Sequence, residues 1–209
     1  MRAMILWLMM AVPVAAEGER AGEFDYFVLS LSWSPNWCAL EGDARDSIQC
    51  DPGEDHGWIL HGLWPQFERG YPSYCNTAAR NPSRAVTAQM SDIMGTPGLA
   101  FHQWKKHGRC TGLDATDYYA LSREAYGRIT RPEVFRKLAE PIRLPASVVE
   151  EAFLRDNPGL SADGITITCR NNHIQEARIC LARDLTPRRC GADVLRDCTA
   201  TGALFTPIR

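Results

Sequence analysis

The chain has 209 residues, 45% hydrophobic and 23% charged, with a formal net charge of −2. This is a globular composition, which excludes a disordered tail, a collagen-like chain and a coiled coil. The slightly acidic balance argues against broad coating of polyanions, so any attraction for nucleic acid must be local.

Arg2 precedes an apolar run from Ala3 to Val14, and Val14, Ala15 and Ala16 supply a cleavage-site pattern before Glu17 opens a polar stretch. Residues 1–16 read as a secretory signal peptide, because a membrane span needs roughly 20 apolar residues. Residues 17–209 then form one domain, exported to a periplasm or the cell exterior and free of the membrane after cleavage. The eight cysteines all follow Glu17: Cys38, Cys50, Cys75, Cys110, Cys169, Cys180, Cys190 and Cys198. An even count behind an export signal reads as four disulfides. No C-x-x-C pair supports zinc, and spacing alone does not choose among the roughly 105 possible pairings.

Along the chain, Asp25–Ser34 alternates apolar Phe27, Leu29, Leu31 and Trp33 with Tyr26, Val28, Ser30 and Ser32. That is a strand with a strongly apolar face, ended by Pro35. Cys38–Cys50 encloses an acidic, irregular loop. Trp58–Trp64 is a second apolar strand, stopped by Pro65. After a turn-rich Gly70–Pro82, helices are predicted over Ser83–Met94, from a Thr96 cap and Pro97 to a stop at Gly108, and over Asp114–Ile129, Pro132–Ala139 and Ser147–Asn157. Ser147 and Glu150 form a capping-box pattern. Ile165–Cys169 and Glu176–Leu181 alternate as strands. Strands at both ends with helices between predict an α+β fold with a mostly antiparallel central sheet packed by helices.

The histidines are His56, His61, His102, His107 and His173. Three fall in two short segments, Trp58-Ile-Leu-His-Gly-Leu-Trp-Pro65 and Phe101-His-Gln-Trp-Lys-Lys-His-Gly-Arg-Cys110. On a helix, His102, Gln103, Lys106 and His107 share an arc of about 140°. The plain account is a solvated face; the alternative is a reactive one. Lys105 and Lys106 would lower the pKa of His107, and a helix C-terminus would raise it. His61 lies in a strand that reads as buried, where a hydrogen-bonded core histidine is the plain account. Gly62 would allow close approach by a ligand, and Trp64 offers a flat face for a base or for core packing. Imidazoles with a lysine suit metal-free acid–base chemistry on a phosphodiester, and RNA brings its own 2′-OH nucleophile.

The segment His61-Gly62-Leu63-Trp64-Pro65, followed by His102-Gln103-Trp104-Lys105-Lys106-His107-Gly108-Arg109-Cys110, closely resembles the two active-site segments of the ribonuclease T2 family. The end of the first strand, Leu31-Ser32-Trp33-Ser34-Pro35, and the cysteines extend the likeness over the mature chain. The resemblance implies an endoribonuclease acting on single-stranded RNA, with no metal or cofactor. His107 would be the general base on the 2′-OH and His61 the general acid for the 5′-oxygen. His102 would bind phosphate and Lys106 would stabilise the transition state. A 2′,3′-cyclic phosphate would form first and then be hydrolysed to a 3′-phosphate. Trp64 would stack on the base 5′ to the cleaved bond. The family pairing would be Cys38–Cys50, Cys75–Cys110, Cys169–Cys198 and Cys180–Cys190.

Gln103 stands where many members carry glutamate, which bears on the catalytic role of that position. Gln66, two residues past Trp64, sits where the family varies a base contact; it can donate and accept, which suggests broad base tolerance. Tyr71 and Tyr74 would supply a second aromatic face or pack in the turn. No obligate protein partner is expected, and a monomer is. Two other classes compete: an RNA- or protein-binding relative with little catalysis, motivated by Gln103 and the acidic charge, and a zinc hydrolase. Against the latter, His102 and His107 are not at i, i+4, and H-E-x-x-H is absent.

Overall fold

A computed structural model describes residues 19–209; the segment 1–16, expected to be a signal peptide, lies outside the described residues. Six strands form one sheet: β1 (Tyr26–Trp33), β2 (Trp58–Gln66), β3 (Ile142–Leu144), β4 (Ile165–Arg170), β5 (His173–Leu181) and β6 (Ala203–Phe205). Their order is β2-β1-β5-β6-β3, with β4 also paired to β5. Every pairing is antiparallel except a single parallel contact between β5 and β6 at His173–Leu204. Helices cover one face: α1 (Ser34–Trp37), α2 (Arg84–Ala88), α3 (Ser91–Met94), α4 (Pro97–Lys106), α5 (Ala115–Arg128) and α6 (Ala146–Asp156). The expected α+β architecture is present.

All of β1 is buried, on both faces. Phe27, Leu29, Leu31 and Trp33 join the main core under the helices. Tyr26 and Val28 point the other way, into a smaller cluster with Cys180, Cys190 and Val194, against which Trp64 packs. The apolar stripe alone predicts the first face; the second is created by the C-terminal loop folding back over the sheet.

Four bonds cross-link the fold, Cys38–Cys50, Cys75–Cys110, Cys169–Cys198 and Cys180–Cys190. These are the pairs implied by the family resemblance. Cys75–Cys110 joins the loop carrying Tyr71 to the segment just past α4, where Tyr74 N–H also donates to the Lys106 carbonyl at 2.9 Å.

Several predicted elements differ in detail. Pro65 does not stop β2, which continues to Gln66 with Pro65 opposite Phe27. β2 is an edge strand, where a missing N–H costs no ladder bond. The predicted helix Ser83–Met94 is two short helices, because the Arg123 guanidinium takes the Gln89 carbonyl at 2.7 Å and holds Asp92. Pro132–Ala139 yields only a tight turn at Glu133–Lys137. α6 begins at Ala146 behind Pro145, so Ser147 lies inside the first turn and its side chain caps nothing. The Cys38–Cys50 loop is wound into short helical turns.

Two β-bulges shape the open face of the sheet. β1 pairs Ser30 with Gly62 and Leu31 with Leu60, which leaves His61 unpaired. β4 pairs Thr168 with Glu176 and Cys169 with Ile174, which leaves Gln175 unpaired on β5. Strict alternation would send residues 61 and 64 to opposite faces. The bulge at His61 reverses the phase, so Leu60 and Leu63 both reach the core while His61 and Trp64 both turn to the open face.

Candidate active site

α4 carries the second histidine segment and is anchored at both ends of its length. The Thr96 hydroxyl caps it, accepting from Leu99 N–H at 3.1 Å, with Pro97 in the first turn. Ala100 and Trp104, one turn apart, are fully buried in the core. Trp104 packs on Tyr118 of α5, with centroids 5.9 Å apart. A side chain at Gly108 would strike Trp104 and Tyr118, with its Cβ 2.7–2.8 Å from their ring atoms. Glycine there therefore seats the helix end against α5.

This anchoring rotates His102, Gln103, Lys106 and His107 toward the bulged edge of the sheet. They line a cleft of about 470 Å³ together with His61, Trp64, Gln66, Tyr71, Glu176 and Arg178. The solvated-face account of the stripe fails: Gln103 is 2% exposed and His107 4%. His102 stays exposed.

Trp64 links the two segments. Its ring stacks on His107, with centroids 5.2 Å apart and planes at 26°. It meets His61 edge-on, also at 5.2 Å. Its Nε1–H donates to Gln103 Oε1 at 2.7 Å. A Cβ at Gly62 would lie 2.3 Å from that oxygen and 2.4 Å from Nε1, so glycine is required for this bond. The indole, with the Arg178 guanidinium also 5.4 Å from its ring centre, is engaged with His61, His107 and Gln103. Tyr71 is 49% exposed and lies 6.0 Å from the His107 ring, with Lys106 Nζ at 5.8 Å from its own. It is the freer aromatic face. Tyr74 does not line the cleft, whereas Gln66 is buried at its floor.

The two central imidazoles differ in environment. Burial lowers the His107 pKa to about 3, assisted by the charges of Lys106, His61 and His102. The flanking lysine thus acts in the expected direction, but burial is the larger cause. His107 Nδ1 is buried with no hydrogen-bond partner. Burial also lowers the pKa of His102, with smaller contributions from Lys106 and His61. His61 is part-exposed, and its Nδ1 meets the buried carboxylate of Glu176 at 2.5 Å. Glu176 in turn accepts two bonds from Arg178, at 2.7 and 2.9 Å.

Sequence reasoning missed Glu176, Arg178 and Gln175. The available signal was an acid and a base two apart in an otherwise apolar strand, which by itself reads as a solvent face. His56 and His173 lie away from the cleft, beside Glu54 and bonded to the Asn171 carbonyl respectively.

Comparison with known proteins points one way. The family model described as the ribonuclease T2 family matches residues 24–190. A ribonuclease of Aeromonas hydrophila is 37% identical over 180 residues, covering 83% of this chain and 78% of its own. Ribonuclease I of Escherichia coli (strain K12) is 22% identical over 214 residues, covering 82% and 80%. Among solved structures, RNase NT in complex with 5′-AMP superposes with a TM-score of 0.62 at 20% identity, covering 90% of this chain and all of its own. An RNase-related protein from Calystegia sepium gives a TM-score of 0.67 at 17% identity, covering 89% and 98%.

Proposed function

The chain belongs to the ribonuclease T2 family, and on that premise we propose that it is an exported, metal-independent endoribonuclease that cleaves single-stranded RNA by transphosphorylation. The observation that carries the mechanism is the contrast between two imidazoles that share one cleft and one indole, His107 stacked on it and His61 edge-on to it. His107 is buried and held neutral, which suits a base. His61 reaches the same cleft from the bulge.

In the first step His107 removes the 2′-OH proton. The 2′-oxygen bonds to phosphorus and the P–O5′ bond breaks, while His61 gives its proton to the departing 5′-oxygen. Lys106 stabilises charge on the phosphoryl oxygens, and His102 binds the phosphate. The product is a 2′,3′-cyclic phosphate and a free 5′-OH. In the second, slower step the roles reverse: water gives a proton to His61 as its oxygen bonds to phosphorus, the P–O2′ bond breaks, and His107 returns its proton to the 2′-oxygen, leaving a 3′-phosphate. Gln103 acts by holding Trp64. Tyr71 and Gln66 contact the base, and a pocket with one amide and one exposed ring supports broad base tolerance. Four disulfides support an oxidising compartment reached through the 1–16 leader, with 17–209 as one catalytic domain acting as a monomer.

The test is to incubate the oxidised protein with single-stranded RNA in EDTA, beside His107→Ala, and to analyse the fragment ends. Cyclic-phosphate ends from the wild type alone are expected. No cleavage by folded, disulfide-bonded protein would favour a binding relative, for which the uncharged Gln103 is the motive.

A further inference from the structure

Glu176 is 2% exposed in the middle of the sheet, opposite Ser32 on β1 and Thr168 on β4. Neither neighbour needs a carboxylate, and a small β-branched residue would fill the same register. Burying an ionised carboxylate is costly unless its lone pairs are well matched. Here they are: Oε1 faces His61 Nδ1 and Oε2 takes both bonds from Arg178. Burial by itself would raise the Glu176 pKa. The hydrogen bond from His61, its charge and Arg178 outweigh that and bring it to about 2. The group is therefore an anion at every working pH.

We infer that Glu176 is the positioning residue of His61: it fixes the ring with Nδ1–H toward the sheet, so that Nε2 carries the proton to the leaving 5′-oxygen, and Arg178 locks the carboxylate in place. This rests on the assignment of His61 as the acid. Three features support it. His61 has no ladder partner to hold it, because it is the bulge residue. An acceptor on one ring nitrogen sets which nitrogen carries the transferable proton. In addition, the side chain at position 103 is uncharged and already bound to Trp64, so the carboxylate that steadies an imidazole comes from β5 rather than from α4.

The test compares two substrates. RNA has an alkoxide leaving group that needs a proton. A nucleoside 3′-(4-nitrophenyl phosphate) uses the same 2′-OH attack but expels a phenolate that leaves without one. Glu176→Gln and Glu176→Ala should lower kcat on RNA by about 10- to 100-fold, yet change aryl-ester turnover by less than about threefold. Arg178→Met should show the same pattern more weakly. In a His61→Ala background, Glu176→Gln should add nothing. Because the aryl ester is read on the same sample, it also reports whether the variant is folded. Equal losses on both substrates would overturn the inference in favour of a scaffold role, as would unchanged turnover on RNA. Full RNA turnover by His61→Ala would overturn the acid assignment beneath it, a distinct failure.

Discussion

Trp64 lies against His107 with the two ring planes only 26° apart. The indole keeps water from the imidazole, and this is part of why His107 stays neutral well into acid. Substituting Trp64→Ala should therefore return the His107 pKa upward from about 3 toward 6.5. Since the proposed base must be neutral, the acid limb of kcat/KM should move to higher pH by one unit or more. A titration of His107 by NMR alongside the rate profile checks this; an acid limb that stays in place would show that other contacts bury the ring.

The same burial has a sign for stability. Folded His107 remains neutral down to about pH 3, while the unfolded imidazole takes a proton near 6.5. The unfolded state therefore binds more protons across that window, and stability falls as pH drops through it. Glu176 is depressed from 4.5 to about 2, so its contribution is present above 4.5 and is lost as pH falls toward 2. Both groups act in the same direction. Urea midpoints should decline steadily from pH 7 to pH 3. His107→Gln should flatten the upper part of that decline, and Glu176→Gln the lower part.

Gln103 accepts from Trp64 Nε1–H through Oε1, a role a carboxylate can fill equally well. Gln103→Glu should accordingly raise turnover or leave it near the wild-type value. A loss of about 100-fold would show that the amide N–H₂ is used in the cleft, since that is the scale of one acid–base contribution.

Gly62 admits no side chain beside Trp64 and Gln103. Gly62→Ala should break their hydrogen bond, lower kcat at least tenfold, and cost about 1–3 kcal/mol of stability through overpacking. Unfolding curves and turnover measured on one preparation separate the two effects. A fully active Gly62→Ala protein would show that the Trp64–Gln103 bond is dispensable.

Much was legible along the chain because it depends on near neighbours. The Thr96–Pro97 start of α4 is local capping chemistry, and the alternation of β1 is local geometry. The spacing that groups His102, Gln103, Lys106 and His107 follows from helical pitch. The two histidine segments resemble a family's active-site segments, with Gln103 as the departure. The errors have local causes as well: Pro65 reads as a strand stop unless the strand is known to be at an edge, and Ser147 reads as a cap unless Pro145 is known to start the helix.

Sequence by itself determined which imidazoles, lysine and amide this protein brings to the cleft and that a sheet and a helix would present them. Only the tertiary structure decided how each group behaves. His61 and Glu176 are 115 residues apart, and they meet because β1 lies between their strands and the bulge turns His61 to the open face. His107, at the end of α4, is buried and its pKa lowered where Trp64 of β2 stacks on it. Burial and cross-strand register are properties of segments remote in the chain, so no local pattern encodes them.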